Sequence, residues 1–287
     1  MIPSPLLETF ATFADDASLS RTAKRLHLSQ PAVHAQLRRL SEILGVPLYQ
    51  RAGRGLVLTS AGVEVAAFAR DASERSEDLV ARLRGEGIER RVVLAAGAGA
   101  LLYVLGDGLR SFTRAYDGRL DVTTADGPSA IDAVTRGSAH VGVVAGPAPI
   151  GDLERHRLVE VGQVLVAPSH HPLAKKRAVS LADLHGERLV LPPPGRPQRS
   201  ALDAALGARG VQITVGAVAT GWDLVLHLVA LGVGLAVVNA SVKAPRGLVA
   251  RPLRELPRIA YAAITRKKPG PDAAQLVRHL TNAKASM

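Results

Sequence analysis

The chain of 287 residues contains no cysteine. That absence excludes disulfides, thiolate nucleophiles, iron–sulfur clusters and thiol-based redox sensing together. Aromatic residues make up only 3% of the chain, whereas apolar residues of all kinds reach 47%. Its cores must therefore be built mostly from Ala, Val and Leu, in a composition typical of folded domains and not of disorder. No apolar run reaches the roughly 20 residues that a membrane-spanning helix needs. The longest, "VVLAAGAGALLYVLG" from Val92 to Gly106, is interrupted by three glycines and reads as a buried strand leading into a helix. No membrane partner is expected. The N-terminal "MIPSPLLETFATFADD" lacks a basic region and a small-residue cleavage site, which predicts a cytoplasmic protein.

Signatures of catalysis are missing as well. There is no GxSxG. "GAGALL" starts like a dinucleotide fingerprint, but Leu102 stands where the third glycine belongs. His170 and His171 are adjacent and lack the i, i+4 spacing of a helical metal site. No catalytic residue, metal or cofactor is predicted.

Charge of one sign is in excess. The net charge of +11 suits a polyanionic partner. The surplus is spread out: residues 1–60 hold seven Lys/Arg against four Asp/Glu, and residues 92–287 hold 23 against 14. Bulk charge therefore does not locate the contact, and local geometry must.

That geometry begins at "LSQPAVHAQLRRLSEILG", Leu28 to Gly45. Val33, Leu37, Leu40 and Leu44 recur at helical spacing and form one apolar stripe. Ser29 is a good N-cap, and Pro31 is tolerated because first-turn amides have no helical acceptor. Gly45 ends the helix. Upstream, "SLSRTAKRLH" reads as a short helix capped by Ser18 or Ser20, and "LLETFATFADDA" places Leu6, Phe10 and Phe13 or Ala14 on one face. Three short helices with a tight turn before the third form a helix-turn-helix. The basic turn "RAGRG" and the strand "LVLT" then form a wing.

A major groove about 12 Å wide admits one helix. Gln30 is then placed to pair with adenine, His34 to donate to guanine, and Pro31 to meet a thymine methyl. Ser29 stands at the cap beside them. Arg38 is one turn further along and suits phosphate, as do Arg51 and Arg54 in the wing. Double-stranded DNA is the predicted partner.

These residues resemble the LysR-type transcriptional regulators. The likeness runs through "FATFADDASLSRTAKRLHLSQPAVHAQLRRLSEILGVPLYQRAGRGLVLTSAG", with "LSQPAV", "LGVPLYQR" and "LTSAG" its most diagnostic pieces. It extends more loosely over the whole chain. The resemblance implies a periplasmic-binding-protein-like effector domain of two lobes, control by a small molecule, and pairing of dimers into a tetramer. It adds RNA polymerase as a candidate partner.

From Ser60 to Arg84 the sequence predicts one helix, with Val65, Phe68, Ala72, Leu79 and Leu83 in a narrow stripe suited to pairing with a second copy. "GEGIER", Gly85 to Arg90, reads as a hinge. Beyond it, strands alternate with helices, which implies mostly parallel sheets with covered faces. The predicted class is therefore α/β: a winged helix-turn-helix in 1–59, a linker helix and hinge in 60–89, lobe I in 90–163 and 262–287, and lobe II in 164–261.

Ligands of open α/β sheets sit beyond the carboxyl ends of the strands. Here these ends offer the amides of Ala98, Gly99 and Ala100 for a carboxylate or phosphate, the hydroxyls of Ser129 and Thr220, Arg196 beside Pro194 for an anion, and Trp222 for stacking on a ring. Two readings compete with an effector-controlled regulator. One is an enzyme or solute-binding module carried by a DNA-targeting head. The other is an architectural DNA binder that responds to no ligand.

Overall fold

A computed structural model describes residues 2–53, 55–83 and 90–283. The head begins with α1 (Ser4–Ala14), α2 (Leu19–Arg25) and α3 (Gln30–Leu44), followed by the wing strands β1 (Tyr49–Ala52) and β2 (Gly55–Leu58). The caps explain the helix starts. Ser18, not Ser20, caps α2 by accepting from the Arg21 amide, and the Ser29 hydroxyl accepts from the Ala32 amide at 3.2 Å. Gly45 closes α3 at φ 70°, a left-handed position that suits glycine. Phe10, Phe13, Val33, Leu37, Leu40 and Leu48 form the buried core, and Leu44 is half-buried at its edge.

The linker helix α4 (Ser60–Leu83) has 24 residues and so spans about 36 Å. Thr59 starts it, donating to the Pro47 carbonyl at 2.7 Å and accepting from the Gly62 amide at 3.1 Å. At Gly62 a Cβ would lie 1.9 Å from the Leu48 carbonyl oxygen, so only glycine lets α4 lean on the wing here. Ala66 and Ala69 of α4 complete the head core.

The second half is two sheets with helices packed around them. Lobe I holds β3 (Arg91–Ala96), α5 (Ala98–Tyr103), α6 (Gly106–Ala115), β4 (Arg119–Thr124), α7 (Gly127–Thr135), β5 (Val141–Ala145) and β6 (Glu154–Val161). Lobe II holds β7 (Gln163–Pro168), β8 (Arg188–Leu191), α8 (Pro197–Gly207), β9 (Thr214–Val218), α9 (Trp222–Ala230), β10 (Ala236–Asn239) and β11 (Leu248–Pro252). The chain then returns to lobe I as β12 (Ile259–Thr265) and α10 (Pro271–Asn282). The five-stranded order is β4-β3-β5-β12-β6, and lobe II pairs β10-β7-β11 and β8-β9. A parallel bridge from Leu189 to Leu235 joins the latter two sets.

Several expectations are corrected. The sheets are mixed: β12 runs antiparallel to both β5 and β6, and β10 and β11 run antiparallel to β7. Because all of β12 lies in the first sheet, lobe II ends before Ile259 and not at 261. The helical stretch that follows β3 is broken into two helices, α5 and α6. The break lets Gly108 meet α10, where a Cβ would lie 3.0 Å from the Leu280 Cα. Within "SLADLHG", residues Ala182–Leu184 form a 3₁₀ turn. Most of the expected hinge lies outside the described residues. Its last residue, Arg90, is anchored in lobe I: it pairs with Asp272, bonds Asp117 at 2.6 Å and stands 4.8 Å over the Tyr116 ring.

Two crossings join the lobes, one at Gly162 and one just before Ile259. Gln163 ties them together by donating from Nε2 to the Pro257 carbonyl at 3.0 Å.

Candidate nucleic-acid interface and interlobe cleft

The buried stripe of α3 leaves its other side to solvent. Ser29, Gln30, Pro31, His34 and Arg38 are all exposed, and Arg51 is exposed on β1. A groove of about 780 Å³ runs between wing and helix, lined among others by Ser18, Arg21, His34, Tyr49 and Arg51. His34 and Arg51 thus face one channel. Gln30 and Pro31 are exposed at the start of the same helix, one turn before His34. Arg38 pairs with Glu42 at 2.8 Å on its own helix, so a phosphate would have to compete for its guanidinium. Arg54 lies outside the described residues. Arg21, which pairs with Asp16 at 2.5 Å, lines the groove and was not foreseen. Its exposed place near the start of α2 was the available signal.

The other candidate site lies between the lobes. Helices α5, α7, α8 and α9 follow β3, β4, β8 and β9, so the first turn of each lies at the carboxyl end of a strand. This end of each sheet faces the other lobe, and side chains cross the gap. Arg196 of lobe II approaches Asp126 of lobe I at 3.8 Å. The Tyr103 hydroxyl of lobe I donates to the Asp223 carboxylate of lobe II at 2.5 Å. At the back, Asn239 donates to the Tyr261 hydroxyl at 2.5 Å, and Gln198 reaches the same oxygen at 3.4 Å.

The residues expected to bind an effector fare differently. Ser129, Pro194 and Thr220 are exposed, and Arg196 is half-exposed. The Ser129 amide is already engaged, donating at 3.0 Å to the Asp126 carboxylate that caps α7. Ala98 is exposed, but Ala100 is buried and its amide donates to the Gly97 carbonyl at 2.9 Å. Trp222 is not presented as a stacking platform. It is 9% exposed and packed into lobe II, with its indole turned against Gly99 so closely that a Cβ there would lie 2.8 Å from Cδ1. The glycine in "GAGA" therefore provides room for the opposite lobe's tryptophan.

Electrostatics follow these contacts. Hydrogen bonds from Ser129, aided by Arg196, hold the Asp126 carboxyl below the usual carboxylate range. Burial, then the bond to Asp223, pushes the Tyr103 hydroxyl up to about 12. It therefore remains a donor near neutrality. Asp126, Tyr103, Asp223 and Tyr261 were missed from the sequence. Asp126 had a signal, since "DGPS" is a helix-start pattern. The others had none, because their partners are distant along the chain. No helix among the described residues is long and apolar enough to cross a membrane.

Comparison with known proteins places this architecture. Residues 5–63 match the bacterial regulatory helix-turn-helix protein, lysR family, and residues 85–285 match the LysR substrate binding domain. The RuBisCO operon transcriptional regulator of Allochromatium vinosum is 32% identical over 237 residues, covering 81% of this chain and 78% of that protein. The chain belongs to the LysR family of transcriptional regulators.

Other relatives agree with this. The HTH-type transcriptional regulator TfdS of Cupriavidus pinatubonensis is 33% identical over 246 residues, covering 84% of this chain and 83% of that protein. Among solved structures, a full-length OxyR variant from Pseudomonas aeruginosa matches with a TM-score of 0.73 at 19% identity, over 99% of this chain and 96% of that one. CbnR in complex with its target DNA matches at 0.61 and 23% identity, over 97% and 99%. At such identities these structures speak for the fold alone. This LysR-type regulator is a transcriptional regulator with an effector-binding domain, and not an enzyme.

Proposed function

We propose that this LysR-type regulator reads DNA with the exposed side of α3 and senses a small molecule in the interlobe cleft. One observation carries the first part. The helix capped by Ser29 buries Val33, Leu37 and Leu40 completely and leaves Gln30, Pro31 and His34 in solvent. Those three side chains then meet base edges, while Ser29, Arg38, Arg51 and Arg54 serve the phosphates. Arg38 exchanges Glu42 for phosphate when the duplex arrives.

Two copies join through α4. Its expected stripe divides: Val65 packs on the head, whereas Phe68, Leu79 and Leu83 remain exposed at 55%, 48% and 78%. A second α4 covers that open half, and two heads then meet two half-sites. Effector domains pair the dimers into a tetramer. The protein works in the cytoplasm, where its DNA and RNA polymerase are.

The effector sits among Ala98, Gly99, Ser129, Pro194, Arg196, Thr220 and the edge of Trp222. Arg196 offers an anion its guanidinium, and the loop at 97–99 offers backbone amides. Ala100 contributes as wall and not as donor. Any effector here must work against Arg196–Asp126 and Trp222–Gly99, contacts that already join the lobes. A ligand can act only through unequal affinity for the joined and separated states.

Genomic footprinting of the purified protein tests the reading. It should protect dyad-symmetric sites, and the neighbouring genes then supply a metabolite panel for titration. Protection that no metabolite alters would leave a ligand-indifferent architectural binder. Turnover of a metabolite would leave an enzyme with a targeting head.

A further inference from the structure

The head touches more than its own wing. Arg70 of α4 is 15% exposed, and its guanidinium lies between two helix ends. At the end of α1, Nη2 donates to the Ala11 carbonyl at 3.3 Å and to the Asp15 carboxylate at 2.6 Å. At the end of α7, Nη1 donates to the Arg136 carbonyl. Arg136 answers with its own Nη1, which donates to the Ala14 carbonyl at 3.2 Å, while its Nε holds Asp132 at 2.8 Å. Beside them Arg266, which follows β12, grips Asp71 of α4 with two bonds of 3.0 and 2.6 Å. At Gly137 (φ 73°) the turn after α7 comes so near α4 that a Cβ would lie 3.4 Å from the Ala67 Cα.

The chemistry of this junction is specific. The last carbonyls of a helix have no partner within it and carry the negative end of its dipole. A planar guanidinium with five donors satisfies several such groups at once, which an ammonium cannot do in the same geometry. Arg70 does so for α1 and α7 together, from within α4.

The other end of α7 lies at the cleft. Its N-cap is Asp126, the residue that faces Arg196 across the lobes. The helix has nine residues and is about 13 Å long. From these contacts we infer that Arg70 is a positioning residue that clasps the DNA-binding head to lobe I, so that α7 acts as a strut between the interlobe cleft and the head. Any change at Asp126 moves a short rigid helix whose far end is bonded to α1 and α4. The path does not depend on the connection through residues 84–89. This inference rests on the proposed roles of head and cleft, and it gives them a physical link.

The chain contains its own reporter. Trp222 is the only tryptophan, and it sits in the cleft against Gly99, far from the reading face. Coupling between two sites is reciprocal, so DNA on the head must be felt at Trp222 if the strut operates. The experiment uses the full chain and a labelled duplex selected by the wild-type protein from a random pool. Duplex anisotropy reports binding, and acrylamide quenching of Trp222 reports the cleft. In the wild type, saturation with duplex should change the quenching. Arg70→Ala and Arg70→Lys should both still bind the duplex and both lose that change. The lysine variant keeps the charge beside Asp15, so the test survives if the alanine variant fails to fold. A quenching response preserved in Arg70→Lys overturns the inference, as does a wild type that binds duplex with no response. Failure of the wild type to select any duplex would instead defeat the proposed function itself.

Discussion

The proposed reading face on α3 and the proposed effector site in the interlobe cleft are built in opposite ways. On the reading face Gln30, Pro31 and His34 stand in solvent on a helix locked from behind by fully buried Val33, Leu37 and Leu40. In the cleft the comparable side chains are engaged with one another: Trp222 against Gly99, Arg196 towards Asp126, Tyr103 with Asp223. The difference matches the ligands. A duplex is rigid and supplies its own shape, so a preformed face loses little on docking beyond the Arg38–Glu42 pair that a phosphate displaces. A small molecule that must move two lobes needs contacts that it can replace. On the proposed reading, a stiff head suits the duplex, and a cleft closed by replaceable contacts suits an effector.

That contrast is open to attack at several points. The largest effect should come from the support of the reading face. Leu37 is fully buried, and Leu37→Ala should cost about 2–5 kcal/mol in thermal or urea unfolding. DNA binding should fall with it. A loss below about 1 kcal/mol would mean that the helix is not held from behind as described.

Next comes the face itself. Gln30→Ala should leave stability unchanged and cost about 1–3 kcal/mol in affinity at one base pair, relaxing specificity there. Equal weakening on selected and random duplexes would remove its base-reading role.

On the cleft side, Gly99→Ala places a Cβ 2.8 Å from Cδ1 and 2.9 Å from Nε1 of Trp222. The ring must shift, at a cost of about 1–3 kcal/mol. Emission of the lone tryptophan should move to the red as the lobes part. An unchanged spectrum and midpoint would show that the lobes do not meet there.

The smallest effect concerns Asp126. Its carboxyl lies below the usual range because Ser129 and Arg196 favour the charged form. Its stabilisation is therefore present above the unfolded carboxylate pKa of about 3.9 and lost as pH falls through the lower folded value. The side chain is 40% exposed, so solvent screening holds the effect to less than about 1 kcal/mol. Asp126→Asn should lower the melting midpoint slightly at neutral pH, and the two proteins should converge in acid. A difference that persists below the carboxylate range would show that the charge is not what matters.

Legibility along the chain follows the same division. The helix-turn-helix could be read almost residue by residue. Its cap at Ser29, its stop at Gly45 and its buried stripe all depend on neighbours within one or two helical turns; between Ser18 and Ser20 for α2, the structure chose Ser18. The alternating elements of the effector domain were also visible, but not their pairing. Nothing in "RIAYAAIT" shows that β12 runs antiparallel between β5 and β6, and this placement moved the lobe boundary. The cleft was legible as a set of strand ends. Its occupants were not: Tyr103 and Asp223 are 120 residues apart, and Gln198 and Tyr261 are 63 apart. Trp222 was misjudged for the same reason, because its burial depends on a glycine in the other lobe.

Read as a string, this chain specifies where helices start and stop, which of their sides are apolar, and that one basic-winged head precedes an α/β body. Those properties come from local hydrogen bonding and from the 3.6-residue period, which act over a few residues. Folding in three dimensions alone chose which strands became neighbours, turned Trp222 inward onto Gly99, and set Arg70 between the ends of α1 and α7. Such choices rest on contacts between segments far apart in the chain, whose meeting is decided by the packing of whole elements and leaves no spacing to be read.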